Sequence, residues 1–203
     1  MGVAGWDYDD WWGVVYPKPA PRGFDPLSHL AGHFDAVEVN ATFYRPMAAK
    51  TARAWCRRVA HNPGFRFTAK LWQRFTHERQ AFTAAEVRQA REAPDALAEE
   101  GRLGAVLMQF PWSFKREEES REWLADVVRA MKGLPLVLEV RHASWNVPEL
   151  YQGLAEQGVG FVNLDQPLFS GSLRPSAVAT ARVGYVRIHG RNWRDWFRKD
   201  ATR

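Results

Sequence analysis

The fold is decided by the stretch FDAVEVNATFY (34–44), in which a short apolar run ends in a cluster of charged and amide side chains. The same pattern returns in FRFTAKLW (65–72), LVLEVRHASW (136–145) and VGYVRIHGRNW (183–193). In a half-solvated sheet, polar and apolar residues alternate along the whole strand. Strands whose polar residues gather at the carboxyl end are typical of a parallel sheet or barrel, with the functional groups on one rim.

Length and composition predict one globular domain spanning residues 1–203. The chain has 203 residues, of which 46% are hydrophobic and 25% charged, enough to bury one core. It contains no run of about 18 apolar residues, so no membrane partner is expected, and MGVAGWDYDD lacks the basic-then-apolar start of a signal peptide. Cys56 is the single cysteine, which indicates a packing role and a reducing, cytoplasmic location.

The net charge of +5 does not by itself identify a partner. A basic balance can reflect binding to nucleic acid or to acidic substrates. The Lys and Arg residues are dispersed, however, and acidic groups interleave with them, as in KREEESRE (115–122). Nucleic acid is therefore not the expected partner.

The pattern of apolar residues predicts strands that alternate with helices, as in a TIM-type (β/α) barrel. Strands are expected near 2–5, 34–39, 65–70, 104–110, 135–140, 158–164 and 183–189, and helices near 26–33, 49–61, 84–100, 116–132 and 147–157. An open doubly wound sheet is the alternative, but neither G-x-G-x-x-G nor G-x-x-x-x-G-K-[ST] occurs, and no cofactor is predicted. A complete barrel takes about 250 residues, so this one is expected to be incomplete, with about seven strands.

Strand parity predicts which polar side chains share a cavity, because alternate residues of a strand face the same side. In a barrel the polar parity points inward at the carboxyl end. Asn40 shares its face with Glu38. The residues expected to converge are Glu38, Lys70, Gln109, Glu139, Arg141, Asp165 and His189. A purely structural network of buried charges is the competing interpretation.

These residue types suit acid–base chemistry on a small polar molecule. Glu38 and Glu139 are candidate acid–base groups, and Lys70 could act as a base or form a Schiff base. The arginines Arg141, Arg187 and Arg191 could clamp a carboxylate or phosphate. Substitution of Glu139 by Gln is expected to abolish turnover and leave folding nearly intact.

Two histidines and two carboxylates have less definite roles. His142 lies off the inward parity and is expected to orient a neighbour, although we include it among the substrate-binding candidates. Glu139, Asp165 and His189 could hold a divalent metal. That interpretation has little support, because no H-x-H or H-E-x-x-H spacing occurs, and no metal site is predicted.

Six motifs resemble the YecE-like family, also called domain of unknown function 72. They are GWDYDDWWGVVYP (5–17), FDAVEVNATFYRP (34–46), PGFRFTAK with the later THER (63–79), LGAVLMQFPWSF (103–114), LEVRHASW (138–145) and YVRIHGRN (185–192). The resemblance implies a TIM-type barrel and a site at its carboxyl end, but it implies no substrate. It also implies a further helix, an eighth strand and a last helix after HGRN, so we expect open barrel edges that favour self-association.

Three functional hypotheses follow from the sequence. The first is an isomerase- or hydrolase-type enzyme acting on a small anionic or sugar-like substrate, with Glu38, Lys70 and Glu139 as catalytic candidates. Its substrate-binding candidates are Asn40, Gln109, Arg141, His142, Asp165, His189 and Arg191. The second is a non-catalytic protein that binds a ligand or nucleic acid through a basic, aromatic rim, and the third is an inactive, truncated family member.

Overall fold

A computed structural model describes residues 1–193, which form two compact units. The N-terminal unit comprises residues 1–107, and the C-terminal unit begins at residue 108. Seven parallel strands run in chain order through the described residues, with helices between them. This is the strand order of an α/β barrel, and with seven strands among residues 1–193 the predicted fold class, an incomplete barrel, is confirmed.

The N-terminal unit supplies the first four strands. Its elements are β1 (Gly2–Ala4), α1 (Pro26–Ala31), β2 (Ala36–Val39), α2 (Ala41–Tyr44), α3 (Ala49–Arg58), β3 (Arg66–Lys70), α4 (Ala84–Glu99) and β4 (Leu103–Gln109), whose last two residues belong to the C-terminal unit. Short turns of 3₁₀ helix (Asp9–Trp11) and π-helix (Arg74–Glu78) follow β1 and β3.

The C-terminal unit supplies the remaining strands. Its elements are α5 (Glu118–Ala130), β5 (Leu136–Glu139), α6 (Pro148–Glu156), β6 (Gly160–Asp165) and β7 (Tyr185–Ile188), with a 3₁₀ turn at Ala143–Trp145. Every strand and helix predicted from the sequence is present, with ends shifted by a few residues. The sequence did not predict α2 or the 3₁₀ and π turns.

Two helix starts show why the boundaries were predictable. The Asp25 carboxylate accepts hydrogen bonds from the backbone N–H of Leu27 and Ser28, and Pro26 occupies the first helical position of α1. At α4, Thr83 and Glu86 form a capping box, in which each side chain accepts from the other's backbone N–H. Both arrangements satisfy N–H groups that the helix itself leaves without partners.

The aliphatic residues on one face of the N-terminal strands pack against the helices and form the core. Val37 and Val39 of β2 and Phe67 of β3 are buried in one cluster with Trp55 and Cys56 of α3. Burial raises the pKa of the Cys56 thiol, as suits a packing residue. The opposite parity of the same strands therefore carries the polar side chains.

Aromatic stacking builds part of the C-terminal core. The rings of Phe110 and Phe114 stack at 4.1 Å, and those of Phe114 and Trp145 at 5.1 Å. The buried Trp145 indole donates to the backbone oxygen of Phe114 at 2.7 Å, which satisfies the polar atom of an otherwise apolar side chain. Trp145 is thus a residue of the core.

The connection from β6 to β7 contains no helix among the residues described. The Asn163 carboxamide holds it instead, accepting from Ser176 Oγ and the Val178 N–H and donating to the Val178 oxygen. The outward side chains of β7 remain open, with Val186 66% and Ile188 78% exposed. Self-association at such an edge stays a prediction. No helix in the described range has the length and apolarity needed to cross a membrane.

Candidate functional site

A buried carboxylate organises the polar cluster of the C-terminal unit. Glu139 is the last residue of β5 and is 0% exposed. Its Oε1 accepts from Nε of Arg141 at 2.9 Å and lies at the same distance from Nη2 of that guanidinium, and its Oε2 accepts from Nη1 of Arg187 at 2.6 Å. A buried charge is tolerated when it is paired and hydrogen-bonded in this way. Glu139 therefore fixes two guanidinium groups on one face of the sheet.

Gln109 and His189 complete the cluster around Arg187. Arg187 Nη1 lies 3.2 Å from Gln109 Oε1 and 3.3 Å from His189 Nε2. A guanidinium can only donate, so this contact is a hydrogen bond when Nε2 of His189 carries a lone pair and its proton lies on Nδ1. With a neutral His189, the cluster of one carboxylate and two guanidinium groups has a net charge of +1.

The strand register explains why these residues meet. Val137 of β5 aligns with Gly160 of β6, and Leu164 of β6 aligns with Arg187 of β7. Aligned residues of neighbouring strands share a face, and the faces alternate along each strand. Glu139 and Arg187 therefore belong to the same face.

The same register separates Asp165 from the cluster around Glu139, where the sequence predicted it. Asp165 aligns with the exposed Ile188, so it lies on the face opposite to Arg187. Its carboxylate accepts from Nε and Nη2 of Arg191 at 2.9 and 3.1 Å. The guanidinium lowers the pKa of Asp165, and the carboxylate raises the pKa of Arg191. The parity argument failed here because it took every polar parity to be the inward one, and Asp165 and Arg191 form a surface ion pair instead.

His142 caps a turn. Its Nδ1 accepts from the Ser144 N–H at 3.1 Å and lies 2.9 Å from Ser144 Oγ, which accepts from the Arg116 N–H. The ring also meets Trp112 edge-on at 4.9 Å. These contacts hold the Ala143–Trp145 turn directly after Arg141. The geometry fits the orienting role that its parity indicated, and the substrate-binding assignment stays a prediction.

In the N-terminal unit, Glu38 and Lys70 lie on the polar face of the sheet. Glu38 of β2 is 7% exposed and aligns with Thr68 of β3, two residues before Lys70. Nζ of Lys70 lies 4.4 Å from the centre of the Phe43 ring, in α2. The face of an aromatic ring attracts an ammonium group, so this contact positions the end of the Lys70 side chain. The predicted meeting of this pair with the residues of the C-terminal unit stays a prediction.

Asn40 joins the end of β2 to the loop after β1. Its Nδ2 donates to the Tyr8 hydroxyl at 3.5 Å, and that hydroxyl donates to the Ala4 oxygen at 2.6 Å. Gly5 has a φ of +82°, and a Cβ there would lie 2.5 Å from the Tyr8 oxygen, so the turn requires glycine. Asn40 thus makes a structural contact. Its assignment as a substrate-binding residue stays a prediction.

His77 was not among the candidates chosen from the sequence. It lies in the π-helix Arg74–Glu78, with Nδ1 2.9 Å from Thr76 Oγ1 and its ring 4.8 Å from the Phe43 ring. Single π turns occur frequently at functional sites. The signal available in the sequence was a histidine soon after a strand end, in FTHER, but no hydrophobic period predicts a π turn.

The polar cluster does not resemble a metal centre. Among residues 1–193, no group of three or more His, Cys, Asp and Glu side chains is placed to hold a metal ion. Asp165 is on the other face from Glu139, and both oxygens of Glu139 already accept from guanidinium groups. The structure therefore gives the metal interpretation of Glu139, Asp165 and His189 no support.

Comparison with known proteins gives a family and solved relatives. The family model "Protein of unknown function DUF72" matches residues 1–203. The UPF0759 protein YunF of Bacillus subtilis is 27% identical over 221 residues, which cover 98% of this chain and 73% of YunF.

Two crystal structures share the fold. A DUF72 family protein from Thermotoga maritima aligns with a TM-score of 0.81 at 30% identity, covering 99% of this chain and 78% of that one. Another from Enterococcus faecalis aligns with a TM-score of 0.75 at 25% identity, covering 84% and 71%. The chain belongs to the DUF72 family, as its six motifs indicated.

Proposed function

We propose that the C-terminal unit binds a small molecule through an anionic group, a phosphate or carboxylate, held by Arg141 and Arg187. The observation that carries this proposal is the buried Glu139, whose carboxylate pairs with both guanidinium groups and holds them in place. Their side chains are 20% and 13% exposed, so each retains some access to solvent. Preorganised guanidinium groups recognise planar or tetrahedral anions by paired hydrogen bonds.

The charge of the cluster favours an anion over a neutral ligand. One carboxylate stands against two guanidinium groups, which leaves a positive charge that a ligand can neutralise. Arg141 uses Nε and Nη2 on Glu139, and within residues 1–193 its Nη1 has no hydrogen-bond partner. A guanidinium carries five N–H donors, so Nη1 is available for the ligand.

We assign the residues of an acid–base reaction of the isomerase or hydrolase type differently from the sequence. Glu139 becomes a positioning residue, because both of its oxygens accept from arginine. His189, whose Nε2 lies 3.3 Å from Nη1 of Arg187, takes the proton-transfer role in this assignment. Glu38 and Lys70 stay the acid–base candidates of the N-terminal unit.

Calorimetric titration of the chain with inorganic phosphate tests the anion site. We expect one saturable site, and loss of at least tenfold in affinity in Arg187→Met and in Arg141→Met. Arg129→Met is the matched control, because Arg129 pairs with Asp126 on the surface and is 74% exposed. At a phosphate concentration of 100 times the dissociation constant, the unmutated protein should gain about 2.7 kcal/mol of stability. Equal affinities in all four proteins would refute the proposal.

A further inference from the structure

A groove separates the helices α5 and α6 on the outside of the C-terminal unit. It has two lobes, of about 170 Å³ and about 490 Å³. Ala125 and Val128 of α5, together with Gln157 and Val159, line both lobes. The lobes are therefore continuous along the two helices.

The floor of the smaller lobe is aliphatic. Leu124 and Val128 of α5 and Leu150 and Leu154 of α6 are buried side chains that line the smaller lobe. Gly153 also lines it, and a Cβ built on Gly153 meets no atom within 4 Å. The groove exists partly because α6 carries no side chain at this position.

Positive charge lies at the end of the smaller lobe. Arg116 and Arg121 line it, together with one carboxylate, Glu149. In the described part of the chain neither arginine side chain forms an ion pair. The larger lobe is lined by Lys132, Glu156 and Arg129, and Arg129 pairs with Asp126 at 2.6 Å. An anionic group in the smaller lobe would therefore lie beside two arginines and an aliphatic floor.

The chemistry of the smaller lobe suits a hydrocarbon chain. Its aliphatic side chains can cover the apolar surface of an extended chain, which is narrow enough to lie between two helices.

We propose that the smaller lobe of the groove between α5 and α6 binds a free fatty acid, with its acyl chain against the aliphatic floor and its carboxylate at Arg116 and Arg121. This site is separate from the anion site at Glu139 and does not depend on it. Each methylene buried in the groove should strengthen binding roughly three- to fourfold. The carboxylate adds charge-assisted hydrogen bonds at the basic end.

The test uses cis-parinaric acid as the probe. Trp145 lines the smaller lobe, so bound probe should quench tryptophan emission by energy transfer and show one saturable site. Gly153→Leu should lower the affinity at least tenfold, because its side chain enters the empty space. The fold should survive, since leucine is a better helix former than glycine. Ala125→Leu blocks the groove from α5 and serves as the second variant, and circular dichroism checks both.

The head group has its own test. Arg121→Gln should weaken binding of parinaric acid about fivefold or more, and should leave binding of the corresponding neutral alcohol unchanged. Arg129→Gln is the matched control and should behave as the unmutated protein. The proposal is overturned if no saturable binding is seen, if folded Gly153→Leu and Ala125→Leu bind normally, or if Arg121→Gln has no effect. Binding to anionic lipid vesicles without binding of the free acid would also overturn it.

Discussion

Glu139 is the residue whose role the structure changes most. Its complete burial and its three contacts with guanidinium nitrogens make it the anchor of a charged network. Removal of one partner from a buried ion pair commonly costs 3–5 kcal/mol. We therefore expect Glu139→Gln to lower the free energy of unfolding by about 3 kcal/mol, contrary to the sequence-based expectation of nearly intact folding.

Urea denaturation at pH 7 measures this cost. Glu149→Gln provides the control, because Glu149 is an exposed residue of α6 and its loss should change stability by less than about 0.5 kcal/mol. A loss for Glu139→Gln no larger than for the control would show that Glu139 does not anchor the arginines.

Asp25 combines a helix cap with an ion pair. Its carboxylate accepts from two N–H groups of α1 and from Nε of Arg58 at 2.6 Å. The hydrogen bond from Arg58 is the main cause that lowers the pKa of Asp25. A lowered pKa stabilises the fold above the unfolded value of about 3.9, and this stabilisation is lost as the pH falls further, through the folded pKa.

Asp25→Ala should therefore cost about 1–2 kcal/mol at pH 7, and the difference from the unmutated protein should shrink below pH 4. Unfolding followed by circular dichroism from pH 7 to pH 3 measures it. Asp126→Ala is the control, since its exposed pair with Arg129 should contribute less than about 1 kcal/mol. If the cost of Asp25→Ala does not change with pH, the ion pair between Asp25 and Arg58 does not contribute to it.

At the scale of elements, one arginine holds the π-helix Arg74–Glu78 against α4. Arg74 donates to Glu86 Oε1 at 2.7 Å, to Gln80 and to the Ala81 oxygen. The hydrogen bond from Arg74 is the main cause that lowers the pKa of Glu86, to about 2. Glu86 is also the capping-box residue of α4. Arg74 thus joins the segment that carries His77 to the start of the next helix.

Arg74→Met should loosen this segment locally. Amide hydrogen exchange across residues 72–86 should accelerate on the order of tenfold, since hydrogen bonds to charged groups contribute about 1.5–3 kcal/mol. Arg91→Met, which removes an i,i+4 pair with Asp95 on α4, is the matched control. Exchange that rises equally in both variants would mean that Arg74 has no special role in the turn.

The regular elements were predictable because local signals specify them. Hydrophobic period, caps such as Asp25 and Thr83, and proline at the first helical position all act within a few residues. The π turn and α2 were not predictable in this way. They depend on contacts with distant residues, such as the hydrogen bond from Thr42 to the Lys70 oxygen at 2.8 Å and the Arg74 contacts with α4.

At the scale of the whole chain, parity identified the polar face but not the alignment between strands. It correctly placed Glu38 opposite the core residues Val37 and Val39. It misplaced Asp165, because the face of a residue follows from the register with the neighbouring strand, and no residue near Asp165 reports that register. The sequence also could not show which arginines pair with Glu139. An arginine at a position of the same strand face could equally have extended into solvent.

The most direct test of the central claim observes the arginines themselves. In a ¹⁵N–¹H spectrum of the guanidinium Nε–H groups, titration with inorganic phosphate should shift the signals of Arg141 and Arg187. Both shifts should saturate with one dissociation constant, while the signals of the surface arginines Arg53 and Arg129 stay nearly constant. Substitution of each arginine by lysine assigns the signals. Small shifts of equal size at all four arginines would contradict an anion site built on Glu139.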